Sequence, residues 1–155
     1  MNMDRRSWIL GASTIATLGL SGMTESEQPG TDLPKERVQG IGGLFFRSAD
    51  PKALADWYQQ HLGVDPIPID HNHQPWQQLA GPTAFAPFPK DTKYFGSPDQ
   101  AWMINFRVRN LDAMVKQLTA SNIAVKVDPE KYPQGRFARL HDPEGNPIEL
   151  WEPAP

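Results

Sequence analysis

The chain repeats itself at an interval of sixty residues: Phe46-Arg47 recurs as Phe106-Arg107, Asp50 as Asn110, Ala53 as Ala113 and Leu54 as Met114. Each copy opens on a strand candidate, VQGIGGLFFR at 38–47 and AWMINFRVR at 101–109, and each runs directly into a helix start. Asp50-Pro51 is a strong opening, because aspartate accepts orphan amide hydrogens and proline suits the first helical position. Leu54, Trp57, Tyr58 and Leu62 then share one helical face, and Gly63 closes the helix in a left-handed conformation. In the second copy Asn110 is the cap, Leu111, Met114, Val115 and Leu118 form the apolar stripe, and Asn122 takes the role of Gly63. Both stripes read as core packing.

Strand candidates follow each helix. In the second copy they are IAVKV at 123–127, GRFARLH at 135–141 and IELW at 148–151, the last two joined by the turn DPEGNP. The first copy offers DPIPI at 65–69, PWQQLA at 75–80 and TAFAPF at 83–88, where the prolines point to edge strands or irregular pairing. KDTKYFGSPDQ at 90–100 links the copies. The expected fold class is α+β, with module one at 38–89 and module two at 101–153, each strand–helix–three strands (βαβββ).

With 155 residues, 39% hydrophobic and 21% charged, the chain can build one core. The net charge of -3 argues against nucleic acid as a partner. No cysteine is present, which excludes disulfides, thiolate catalysis and zinc–thiolate sites. Residues 1–30 read as a leader and short linker: Arg5-Arg6, an apolar run from Trp8 to Met23, then a polar stretch. Arg5-Arg6-Ser7-Trp8-Ile9-Leu10 resembles the twin-arginine export signature, which implies a periplasmic or extracellular protein. An uncleaved leader is the alternative, tethering the chain to a membrane or leaving it cytoplasmic.

GLFFRSADPKALADWYQQHLGV, MINFRVRNLDAMVKQL and GRFARLHDPEGNPIELWEP together resemble the vicinal oxygen chelate superfamily, which includes glyoxalases, bleomycin- and fosfomycin-resistance proteins and extradiol dioxygenases. The resemblance covers 38–153 as a single domain and is most specific in DPEGNPIELWEP. It implies two βαβββ modules curled around a shared cleft. It also places the metal-ligand positions of such proteins at Gly43, Met103 and Glu149. Glycine has no ligand atom, and a thioether is a poor partner for hard divalent ions. From His71 to Lys90 there is neither Asp nor Glu, so Glu149 stands alone as a metal ligand. A catalytic divalent ion needs about three protein ligands. The expectation is therefore no cofactor, with a divalent metal as the alternative. A rebuilt site from His71, His73 and Glu149, with His141 nearby, is the route to that alternative.

Strand alternation sorts the residues further. Phe45, Arg47, Met103, Asn105, Arg107, Glu149 and Trp151 share the parity of the ligand positions and should line the cleft, with Trp76 as a further wall. Leu44, Phe46, Ile104, Phe106, Val108, Ile148 and Leu150 should face the helices. Apolar walls with a few convergent polar groups suit a small organic ligand, and the arginines extend this to an anionic one. Equally, Arg47 or Arg107 can neutralise Glu149 within the sheet. Three readings follow: a metal-free small-molecule binder of the resistance type, a glyoxalase-like lyase, isomerase or dioxygenase-related enzyme with Glu149 as its catalytic base, and a non-catalytic interaction module. A homodimer is compatible with each.

Overall fold

Asp50 and Asn110, the two cap residues, begin the two helices of the computed structural model, which describes residues 36–70 and 74–155. The side chain of Asp50 accepts from the Ala53 amide at 3.0 Å, and helix α1 runs Pro51–Leu62. Gly63 ends it at φ 69°, the left-handed region that costs a glycine nothing. Asn110 accepts from the Ala113 amide at 2.9 Å and opens α2, Leu111–Ala120. Asn122 beyond it stands at φ 59°, so the same closing device is written with a different residue.

The strands among the described residues are β1 (Ile104–Arg107), β2 (Lys126–Val127), β3 (Gly135–His141) and β4 (Pro147–Pro153). They form one sheet in the order β1-β4-β3-β2, so the fold is α+β. β1 runs parallel to β4 with Asn105 opposite Glu149, and β3 runs antiparallel to β4 with Arg139 opposite Glu149. Both helices lie against one face. Leu54, Tyr58, Leu111 and Leu118 pack there with Ala138, Leu140, Ile148 and Leu150, and Ile104, Phe106 and Val108 extend the cluster at its border. Burying each large aliphatic side chain contributes about 1.5–3 kcal/mol, so this face is a main source of stability.

Residues 47–155 belong to one compact unit, and 36–46 belong to a second that is described by itself. The strand expected at 38–47 is absent among the described residues, and so are those at 65–69, 75–80 and 83–88. The strand expected at 123–127 shrinks to Lys126–Val127, and that at 101–109 to Ile104–Arg107. The cause is legible in the composition. Gly40, Gly42 and Gly43 raise the entropic cost of ordering 38–47. Pro66, Pro68, Pro75 and Pro87 remove ladder donors from the rest. Leu44 and Phe46, expected in the core, are exposed. The leader at 1–30, His71 and His73 lie outside the described residues.

Candidate ligand-binding site

The sheet's second face, free of helices among the described elements, carries the polar residues. Parity along β4 puts Glu149 and Trp151 there, and the registers add Asn105 and Arg107 from β1 and Phe137 and Arg139 from β3. Asn105, Glu149, Arg139 and Lys126 therefore form one row across the strands.

Glu149 is the centre of that row and is only 4% exposed. A buried carboxylate is costly unless donors surround it. Here Asn105 Nδ2 donates to Oε2 at 2.9 Å, the Tyr94 hydroxyl to Oε1 at 3.0 Å, and Arg139 Nε to Oε1 at 3.4 Å. Arg139 also donates from Nη1 to the Tyr94 carbonyl at 3.0 Å, and its guanidinium lies 4.1 Å from the centroid of the Tyr94 ring. Phe88 stacks on Tyr94 at 4.9 Å. The linker thus lies on the sheet at its most polar point.

The other residues expected to line the cleft are distributed differently. Arg107 donates from Nη2 to the Leu79 carbonyl at 2.6 Å and from Nη1 to that of Ala80 at 3.2 Å, tying the 79–81 segment to β1 rather than neutralising Glu149. Trp151 is buried; its ring is parallel to that of Phe137, with centroids 6.3 Å apart, and its Nε1 donates to the Gln134 carbonyl at 2.8 Å. Gly135 makes that possible, because a side chain there would run into Trp151 Nε1 and the Glu152 carbonyl. Met103 is half-buried just ahead of β1. Arg47 is exposed, and Phe45, in the other unit, is 84% exposed. Trp76 meets Phe106 edge-on at 6.2 Å, a residue of the helix-facing parity. His141 is exposed at the end of β3.

Sequence reasoning missed Arg139 and Tyr94. For Arg139 a signal existed: a hairpin closed by Asp142–Asn146 must set position 139 against 149. For Tyr94, in an aperiodic linker, there was none.

The turn itself is a structural joint. Asp142 Oδ1 accepts from the Glu144 and Asn146 amides at 2.9 Å, and its Oδ2 accepts from the buried Tyr58 hydroxyl at 3.0 Å. Burial, then the neighbouring Asp142 carboxylate, push the Tyr58 phenol well above its usual range. Glu144 reaches the other way, accepting from the Asp50 amide at 3.0 Å, the Ser48 hydroxyl at 2.7 Å and the Ala49 amide at 3.0 Å. Those donors, the Asp50 amide foremost, hold its carboxyl below the usual glutamate range. Most of the HDPEGNP motif is thereby spent fastening the hairpin to α1.

A divalent ion does not fit the positions where the superfamily holds one. Gly43 and Met103 offer no hard donor, and both oxygens of Glu149 already accept from donor groups, one of them cationic. Among the described residues no three His, Cys, Asp or Glu side chains converge.

Two helices on one face of a mixed sheet, with a carboxylate-centred polar cluster on the other, define an α+β module. The glyoxalase-like domain family matches residues 43–151, and the chain belongs to that family. Among solved structures it is similar to TnmS3, an antibiotic binding protein from Streptomyces sp. CB03234. The identity is 27% over 68% of this chain and 88% of that one, with a TM-score of 0.43. A glyoxalase/bleomycin resistance protein from the same Streptomyces is 32% identical over 36% of this chain and 48% of that one, with a TM-score of 0.31. A glyoxalase family protein from Enterococcus faecalis is 21% identical over 42% of this chain and 52% of that one, with a TM-score of 0.33. No curated protein matches the chain in sequence.

Proposed function

We propose that this protein binds a small organic molecule on the helix-free face of its sheet, at Glu149, Asn105 and Arg139, without a metal at the family's ligand positions. One observation carries the reading: a carboxylate 4% exposed is kept at the centre of a sheet where an apolar side chain would cost less. Convergent polar groups of this kind in an otherwise apolar setting are the ordinary make-up of a ligand site. Arg107 and Arg139 already face carbonyl and carboxylate oxygens, which favours a ligand that brings donors over an anionic one. The donors around Glu149 also occupy the lone pairs a catalytic base would use, so binding is preferred to lyase chemistry. Arg5-Arg6 and the apolar run behind them support action outside the cytoplasm, and Arg5→Lys with Arg6→Lys should abolish export of a reporter fused after residue 30.

The test is a thermal-shift screen of aromatic, amine and carboxylate compounds on the full chain. A ligand present at about 100 times its Kd should add about 2.7 kcal/mol of stability. Glu149→Gln should lose that gain. If no compound stabilises the wild-type protein, the binding reading fails. Catalytic turnover of a ketoaldehyde adduct that disappears in Glu149→Gln would put the enzyme in its place. Elemental analysis near one divalent ion per chain would refute the metal-free part.

A further inference from the structure

Phe88 at the end of the first copy and Tyr94 and Phe95 in the linker form an aromatic cluster that the binding reading leaves unexplained. Phe88 and Tyr94 stack with 21° between their planes, and Phe95 meets Phe88 edge-on at 5.2 Å. The cluster is fixed to the sheet through Tyr94, and the manner of fixing is that of a bound ligand. A phenol hydroxyl rests on a buried carboxylate at 3.0 Å, a guanidinium covers the ring at 4.1 Å, and an aromatic partner stacks on it at 4.9 Å. Each contact has its own chemistry: a hydrogen bond to a charged acceptor, a cation over a π face and an offset ring pair. Together they select an aromatic ring bearing a hydroxyl group.

We propose that Tyr94 is an internal ligand of the Glu149–Arg139 subsite, and that the molecule which displaces it is a hydroxylated aromatic compound. This rests on the binding function proposed above and names its ligand class. The tether sets the terms of competition. A side chain held on a short loop acts at an effective concentration of the order of millimolar. A single phenol ring, offering no more than Tyr94 itself, therefore competes poorly. The natural ligand has to extend beyond the Tyr94 ring, and the exposed Asn105, whose Nδ2 sits on the other oxygen of Glu149, marks one direction of growth.

Calorimetric titration of the full chain with p-cresol, which reproduces the tyrosine side chain, and with toluene, which lacks the hydroxyl, tests the proposal. In Tyr94→Ala, p-cresol should bind at least about tenfold more tightly than to wild type, with a similar preference over toluene. The double variant Tyr94→Ala with Glu149→Gln should lose that preference. Tyr94→Phe keeps the packing of the ring and should improve p-cresol binding about fivefold, the worth of one hydrogen bond. Equal binding of p-cresol and toluene in Tyr94→Ala overturns the phenol assignment, and so does an unchanged affinity in Tyr94→Phe. If p-cresol fails in both variants while another compound still stabilises wild type through Glu149, Tyr94 is a structural latch and the binding function stands. If no compound stabilises any form, both fall.

Discussion

Two stretches of this chain are written to one plan and reach different ends. Residues 101–153 form a helix and a sheet of four strands, while 38–89 contribute, among the described residues, the helix α1 and chain without regular structure. The helices are near-equivalents, each opened by an Asx cap and closed by a residue at positive φ. The divergence lies in the strands. β3 and β4 present GRFARLH and PIELWEP, with one proline at each end of β4 and none inside, and a tight turn that sets their register. The first copy has prolines at alternate places and nothing equivalent to the Asp142–Asn146 joint. A helix depends on local caps and one apolar stripe, whereas a strand exists only if its partner also does.

The largest expected effect sets one copy directly against the other. Phe137 is 1% exposed on β3, and Phe85 of the first copy is 87% exposed. Phe137→Ala should cost about 3–5 kcal/mol. Phe85→Ala should stay within about 0.5 kcal/mol of wild type. Urea unfolding of both variants measures the contrast. A cost above about 2 kcal/mol for Phe85→Ala, well outside the surface range, would show that the first copy is packed in solution.

The caps sharpen the same comparison at a smaller scale. Gly63 at φ 69° directly follows α1, and Asn122 at φ 59° follows α2 one residue further on, after Ser121. Alanine at Gly63 should cost about 1–2 kcal/mol, the strain of a Cβ in the left-handed region. Asn122 already carries a Cβ, so alanine there loses only asparagine's greater tolerance of that region and should cost less than about 1 kcal/mol. A larger loss in thermal melts at Gly63 than at Asn122 would confirm that both helices end on a left-handed residue. A harmless Gly63→Ala would mean that α1 frays and is held less firmly than α2.

These elements also show what the sequence could and could not reveal. The two helices were legible to within a residue because caps and stripes are local signals. The sorting of Ile104, Phe106, Ile148 and Leu150 to the helices, and of Asn105 and Glu149 to the other face, was legible because strand parity is local too. Tyr94 was invisible, since its position depends on where the linker at 90–100 lies on a sheet whose Glu149 comes 55 residues later. Charge alone leaves Arg107 open between a ligand and Glu149, and in the fold the backbone carbonyls of Leu79 and Ala80 accept from it instead. The strands at 38–47 and 65–88 were read from repeat logic, which transfers a plan without its partners.

Below the caps comes the joint between α1 and the β3–β4 hairpin. The buried Tyr58 hydroxyl donates to Asp142, whose carboxylate also organises the turn. Tyr58→Phe removes one donor and leaves Asp142 with its remaining partners, so the loss should be about 1 kcal/mol. An unchanged midpoint in denaturant would separate the turn from α1 energetically.

The last contrast depends on pH. Glu144 is fully exposed, yet its carboxylate gathers the Ser48 hydroxyl and the Ala49 and Asp50 amides ahead of α1. Its pKa is lowered from the ordinary value of 4.5, first by the Asp50 amide, then by the Ser48 hydroxyl and the Ala49 amide. A carboxyl with a lower pKa in the folded state binds fewer protons there than in the unfolded chain. Its contribution is therefore complete above the ordinary glutamate range and disappears as the pH falls through the lowered folded value. Wild type should exceed Glu144→Gln in melting temperature at neutral pH, and the difference should close on acidification through and below 4.5. Solvent keeps the difference small, since an exposed carboxylate gives up strong hydration to make these bonds. Its pH dependence still identifies it: a neutral amide retains an acceptor oxygen but cannot titrate. A difference that stays constant from neutral to acid pH would assign the contact to shape alone, and the hairpin turn would then hold α1 through Asp142 and Tyr58 without help from charge.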